Sequence, residues 1–300
     1  MKGILLVDKP VGCTSHDVVD MIRRAAGIRR VGHTGTLDPN ATGLLILCLG
    51  QATRLSEFLI GLDKVYEGAM LLGTVTDTQD IEGEVLEENE VPDTITEEQI
   101  KEIFQGFTGE IQQVPPMVSA VKSGGSRLYS LARKGETVDR PARTVTVHEF
   151  DLLRFEPPKV YFRIRCTRGT YARTLAHDVG QELGCGGTLA ELRRTWVGHH
   201  SLENAQPADA FQTREDVKRH LLPVDDALNL PAVVVRRGSE RLVANGGTLG
   251  PGDIEASPEE TGGTWVQIKN ADGRLLAVGQ AGGVPAAPLI QPKRVIGGRS

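Results

Sequence analysis

Residues 32–43 read GHTGTLDPNATG, and six apolar residues, LLILCL, follow at 44–49. Three glycines, three threonines, one histidine and a single carboxylate are packed into those twelve positions. Glycine lets a backbone approach a ligand closely, and the Asp38–Pro39 step stiffens the chain at the acid. The apolar run can anchor the loop in a core, so the chain must fold in a way that holds Asp38 at one fixed place. On residue types alone, a plain turn or helix cap would use the same letters, because Asp and Asn readily bond their own backbone. No Gly-Lys-Ser/Thr follows and no GxGxxG is formed, which excludes the common phosphate-cradling loops.

A length of 300 residues suits one large domain or two unequal ones. The cysteines (Cys13, Cys48, Cys166, Cys185) lie far apart, with no CxxC pair and no suitably spaced histidine. That pattern argues against a zinc site and a disulfide framework and fits a reducing compartment. The apolar run at 4–7 is too short for a signal peptide, and nothing approaches the ~18 apolar residues of a membrane span. A soluble cytoplasmic protein is expected.

The net charge of −5 suits a nucleic-acid binder poorly, because phosphate contacts drive such binding. The distribution changes that conclusion. Residues 77–110 hold twelve acids and one base, a net of −11, which leaves +6 on the rest. The bases cluster at Arg23, Arg24, Arg29 and Arg30; at Lys122, Arg127, Arg133 and Lys134; at Arg163, Arg165 and Arg168; at Arg193 and Arg194; and at Lys293, Arg294 and Arg299. Each cluster alone fits a solvated face, and together they allow a basic surface with the acidic insertion turned away from it.

Residues 3–7 read as a short buried strand. Thr14 to Asp17 form a capping box ahead of a stripe of Val18, Ile22 and Ala25 or Ala26 that stops at Gly27. Thr96 to Gln99 cap a second helix with the stripe Ile100, Ile103, Phe104 and Phe107. Residues 66–74 read as a strand, and Val160, Phe162, Ile164 and Cys166 alternate with Tyr161, Arg163 and Arg165 in another. Tyr171, Leu175, Val179 and Leu183 share a helical face, and Thr188 to Glu191 read as a further capping box. The class is α+β. A boundary near 228–231 precedes short strand candidates at 232–235, 264–269, 274–279 and 289–296 and a helix candidate at 238–244. The domains are therefore 1–230, with the acidic insertion at 77–110, and 231–300, a small β-rich unit near the lower size limit for folding alone.

Taken whole, residues 32–54 resemble the catalytic motif of the bacterial tRNA pseudouridine-55 synthases, the TruB family. Further segments agree in order: GILLVDKP at 3–10, KVYE at 64–67, TDTQDIEG at 76–83, QVPP at 113–116, CTRGTYARTL at 166–175 and 189–194. The likeness covers roughly residues 3–200. Val118 stands where many members carry an aromatic residue, so no base-stacking role attaches to it. Residues 241–247 and 272–278 resemble parts of a PUA RNA-binding domain. The resemblance implies a catalytic domain with a mixed, largely antiparallel sheet flanked by helices and loops, plus a small β-barrel-like PUA domain.

It also implies isomerisation of uridine to pseudouridine at position 55 in the T-loop of tRNA, by base flipping, in a monomer without metal or cofactor. Asp38 would be the reacting carboxylate, since one carboxylate can serve as nucleophile or base. Arg173 would keep it ionised in an apolar pocket, and Tyr66 would stack on the flipped uracil. His33 would enter the T-loop, Lys64 would hold a phosphate, and Asp80 would contact the RNA. Two other readings stay open: a guide-RNA-dependent pseudouridine synthase and a non-catalytic tRNA chaperone.

Overall fold

The computed structural model describes residues 1–117, 122–123, 126–127, 138–257, 264–284 and 287–296. Val118, residues 119–121 and 128–129, Arg133, Lys134 and Arg299 lie outside the described residues.

The larger sheet uses β1 (Gly3–Lys9), β2 (Val31–His33), β3 (Thr42–Leu49), β4 (Lys64–Leu72), β7 (Gly109–Gln113), β10 (Arg143–Glu156), β11 (Lys159–Cys166), β12 (Gly187–Val197), β13 (His200–Ser201) and β14 (Gln206–Pro207). Two short hairpins stand apart, β5 (Thr74–Thr76) with β6 (Val85–Glu88) and β8 (Lys122–Ser123) with β9 (Ser126–Arg127). The sheet order is β14-β1-β3-β12-β4-β11-β10-β7, with β2 on β3 and β13 on β12. Among the described strands of this sheet, only the β1–β14 and β12–β3 pairs are parallel. The sheet is mixed and largely antiparallel, and the fold class is α+β as the sequence implies.

Local chemistry accounts for the helices. In α1 (Ser15–Ala26) the Thr14 side chain accepts from the Asp17 N–H, Asp17 reciprocates, and Gly27 closes the helix in the left-handed region. In α3 (Glu97–Gly106) Thr96 and Gln99 form the same box. Its Ile100 and Phe104 are fully buried, and Phe104 stacks on Phe150 at 3.8 Å. The acidic segment is thus anchored in the core by one apolar helix face. Helix α2 (Ser56–Gly61) precedes β4, and α4 (Ala172–Glu182) packs Leu175, Ala176 and Val179 into the same core as α3.

Residues 187–197 depart from the sequence reading. The Thr188 to Glu191 signature is not a helix cap but the start of β12. The Thr188 hydroxyl lies 2.9 Å from that of Thr76, across to β5, instead of capping a turn. The slot between β3 and β4 demands an extended chain, and tertiary pairing overrides the local signal.

Beyond residue 230, β15 (Ala232–Val235), β16 (Ile254–Ala256), β17 (Trp265–Lys269), β18 (Leu275–Val284) and β19 (Ala287–Val295) form a five-stranded sheet in the order β16-β15-β17-β18-β19. Among the described residues it is not closed into a barrel by pairing of its end strands. A short helix, Glu240–Ala244, packs on β18. Leu275, Val278 and Ile296 join a core cluster with Ile4, Leu6, Leu59 and Val224. The Leu275 N–H also donates to Asp225, and Arg294 pairs with Glu57.

Candidate active site

A pocket of ≈430 Å³ opens where the 34–41 loop, β4, β12 and the turn before α4 meet, and Asp38, Tyr66, Arg173, His33, Lys64 and Arg194 all line it. The loop is tied down at several points. The Leu37 N–H donates to the Ser15 hydroxyl at 2.8 Å, and that hydroxyl donates to the Leu37 carbonyl at 3.1 Å. Lys9, fully buried, donates from Nζ to the carbonyls of Cys13 at 2.7 Å and Pro39 at 3.2 Å. The Gly12 N–H reaches the Pro39 carbonyl as well. Position 43 has to be glycine, because its φ is +99° and a Cβ there would lie 2.3 Å from the Arg194 carbonyl oxygen. Asp38 is fixed in place by these bonds to α1 and β1 and by the close approach of Gly43 to β12.

Arg173, in the first turn of α4, has a side chain only 5% exposed and lies between two carboxylates. Its Nε stands 3.2 Å from Oδ2 of Asp38, and its Nη1 stands 3.1 Å from Oδ2 of Asp80. Nη1 also donates to the Thr78 carbonyl at 3.2 Å. Asp80 is buried behind this arginine, and its Oδ1 accepts from the Thr78 hydroxyl at 2.7 Å and the Glu82 N–H at 3.1 Å. The turn that carries it is held by Gln79, at φ +64°, whose carbonyl accepts from the Leu189 N–H. Part of the acidic segment therefore builds the site rather than facing away from it. In this arrangement Asp80 faces Arg173.

Burial pushes the carboxyl of Asp38 above its ordinary range; Arg173 pulls the other way, and Asp80 adds to the rise. Burial likewise raises the phenol of Tyr66, against the pull of Arg194. His33 is held below the ordinary histidine range by burial first and then by the Arg194 charge. Its Nδ1 accepts from the Gly35 N–H at 3.4 Å, so the neutral ring carries its proton on Nε2. Lys64 donates to the carbonyls of Ile60 at 2.6 Å and Leu62 at 2.5 Å, tying β4 to the end of α2. Burial brings its amine down to about 8.

Two lining or supporting residues escaped the sequence reading. Arg194 looks like half of a basic surface pair, yet it is 2% exposed while Arg193 reaches solvent and bridges Asp8 at 2.7 Å. The alternation of a strand through 187–197 is the signal that separates them. Lys9 carries no sequence signal beyond its place before Pro10.

A family model described as TruB family pseudouridylate synthase, N terminal domain, matches residues 23–172. A second, described as tRNA pseudouridylate synthase B C-terminal domain, matches residues 173–229. The chain belongs to the TruB family of pseudouridylate synthases. It is 50% identical over 236 residues to the tRNA pseudouridine synthase B of Opitutus terrae, which covers 78% of this chain and 97% of the relative. It is 43% identical over 299 residues to the tRNA pseudouridine synthase B of Burkholderia pseudomallei, covering 99% and 97%. Among solved structures it resembles an H/ACA RNP bound to a substrate RNA containing 2'-deoxyuridine, at TM-score 0.76 and 25% identity over 99% of this chain and 86% of that one. A Cbf5-Nop10-Gar1 complex matches at TM-score 0.76 and 28% identity, over 99% and 85%.

Proposed function

We propose that this protein isomerises uridine to pseudouridine in tRNA, at position 55 of the T-loop, as a cytoplasmic monomer that needs no metal or cofactor. The observation that carries the reading is the Asp38 carboxylate on a fixed loop, held by a buried arginine at the wall of a base-sized pocket. The bond from ribose C1' to N1 breaks, C1' bonds to C5, C5 loses its proton and N1 gains one. Nothing is added or removed, so a carboxylate can carry the reaction.

Asp38 is the reacting group and Arg173 orients it. The position of Asp80 supports a role in fixing Arg173, where the sequence suggested RNA contact. Tyr66 offers its ring face to a flipped uracil, whose extrusion costs a few kcal/mol. His33, which lines the pocket, suits the space a flipped nucleotide leaves. Lys64 has a third N–H beyond the two given to carbonyls, and that donor suits an RNA oxygen. Residues 1–230 form the catalytic domain, and 231–300 a PUA-like RNA-binding domain.

The likeness to Cbf5 complexes favours a guide-RNA-dependent reading, but the 43–50% identity to tRNA pseudouridine synthases B outweighs it. Incubation of the purified chain with an unmodified tRNA transcript, without guide RNA, decides. Pseudouridine at the T-loop uridine is the expected product. Formation only with an added guide would favour the second reading, and binding without turnover would favour a chaperone.

A further inference from the structure

Arg194 and Tyr66 are direct partners in the β12–β4 register, so their side chains leave the same face of the sheet. Both line the pocket that holds Asp38. The Arg194 guanidinium is bound only by neutral groups in the bonds resolved for it. Nε donates to the Leu44 carbonyl at 2.7 Å and Nη2 to the Gly35 carbonyl at 3.1 Å. Among the described residues, no carboxylate stands within ion-pair distance of it, whereas Arg173 has two. A buried cation without a counter-charge is costly, because its desolvation goes uncompensated. A neutral amide could hold one or both of those carbonyls. The positive charge is the part of Arg194 that the fold does not require.

The proposed reaction creates the missing counter-charge. When the C1'–N1 bond breaks, its electron pair stays with the uracil, spread over N1, O2 and O4. If Asp38 instead adds to the ring, the ring again takes up an electron pair. In either case the base carries an extra electron pair before the C5–C1' bond forms; C5 then gives up its proton and N1 gains one.

We propose that Arg194 supplies the positive field that stabilises the uracil ring while it carries that electron pair, acting across the side chain of Tyr66. The inference rests on the isomerase reading. Such fixed charges in a dry site are effective because they need no reorganisation during the reaction. The downward pull of Arg194 on both Tyr66 and His33 reflects the same field.

The test compares wild type, Arg194→Gln and Arg194→Lys, each first shown to be folded by thermal melt, in single turnover on unmodified tRNA transcript. Arg194→Gln should react roughly 10²–10³-fold more slowly at saturating RNA. Its RNA affinity should stay within about threefold, because phosphate contacts elsewhere dominate binding. Arg194→Lys, which keeps the charge, should fall between the two.

A second arm uses tRNA with 5-fluorouridine at the target, followed as loss of that nucleoside from complete digests. Fluorine withdraws electron density, so the ring needs less help and the Arg194→Gln defect should shrink by about tenfold. A residue that merely pins Leu44 and Gly35 would slow both substrates alike. Equal defects on the two substrates overturn the proposal, as does wild-type rate in folded Arg194→Gln. If the Gln variant does not fold, a folded Arg194→Lys should keep measurable turnover, and a loss of about 10³-fold there overturns it. Failure of wild type on the transcript would instead sink the isomerase reading.

Discussion

Arg173 turns its Nε toward Oδ2 of Asp38 at 3.2 Å, from a side chain that is 5% exposed while the aspartate side chain is 42% exposed. The arginine is enclosed by the fold, and the aspartate is the partner open to the pocket. A guanidinium serves here because it is planar and can face carboxylates in two directions at once. Lysine has no such fork.

Arg173→Lys should therefore fold and bind tRNA yet lose roughly 10²-fold in kcat, the scale expected for a misplaced reacting group. Arg173→Met is a different case. It strands the buried Asp80 carboxylate and should cost on the order of 3–5 kcal/mol. Urea melts of both variants beside single-turnover rates check this, and near-normal kcat in Arg173→Lys would place the arginine outside the site.

Asp80→Asn should lower kcat while leaving RNA affinity within about threefold, since phosphate contacts dominate affinity. The carboxylate holds Arg173 and two neighbouring donors rather than the open pocket. A large rise in KM with unchanged kcat would instead return Asp80 to the role of RNA contact.

Burial raises the Asp38 carboxyl above the ordinary aspartate value of 3.8. If the ionised form reacts, the acid limb of kcat/KM lies above the ordinary aspartate range. Asp80 contributes to that rise, so Asp80→Asn should move the limb toward lower pH. The stability consequence has the opposite sense to a salt-bridged acid. With the folded value raised, the favourable contribution of Asp38 is complete below 3.8 and is lost as pH rises through the folded value. Neutral Asp38→Asn should accordingly melt no lower than wild type at pH 7. A clear loss of Tm would show that the Arg173 pair outweighs desolvation.

Truncation after Pro231 should lower the melting temperature of the remaining chain. Leu275, Val278 and Ile296 share a core cluster with Ile4, Leu6 and Val224, and Gln267 donates to the carbonyls of Leu228 and Leu230. Removing three buried apolar side chains from that cluster forfeits several kcal/mol at roughly 1.5–3 kcal/mol each. An unchanged Tm would make the tail an independent appendage.

Much of this was legible in the sequence because it is local chemistry. The caps at Thr14 and Thr96 and the alternation through 160–166 depend on neighbours a few residues away. The Asp38 loop was legible because permissive glycines and the stiff Asp38–Pro39 step mark a tight loop by themselves. Strand β12 was not, because its extended form comes from β3 and β4 on either side. Misreading it hid Arg194 among the surface bases. The place of Asp80 was hidden for a similar reason: Gln79 at positive φ and the Leu189 N–H turn its carboxylate inward, and both act through tertiary structure.

The most direct measurement maps pseudouridine at nucleotide resolution in an unmodified tRNA transcript after incubation with wild type or Asp38→Asn, with no guide RNA present. Wild type should modify the T-loop uridine at position 55. Asp38→Asn should give no product while binding the same transcript within about threefold, because the carboxylate carries the reaction and phosphate contacts carry the affinity. Turnover by Asp38→Asn at anything near the wild-type rate would contradict the account.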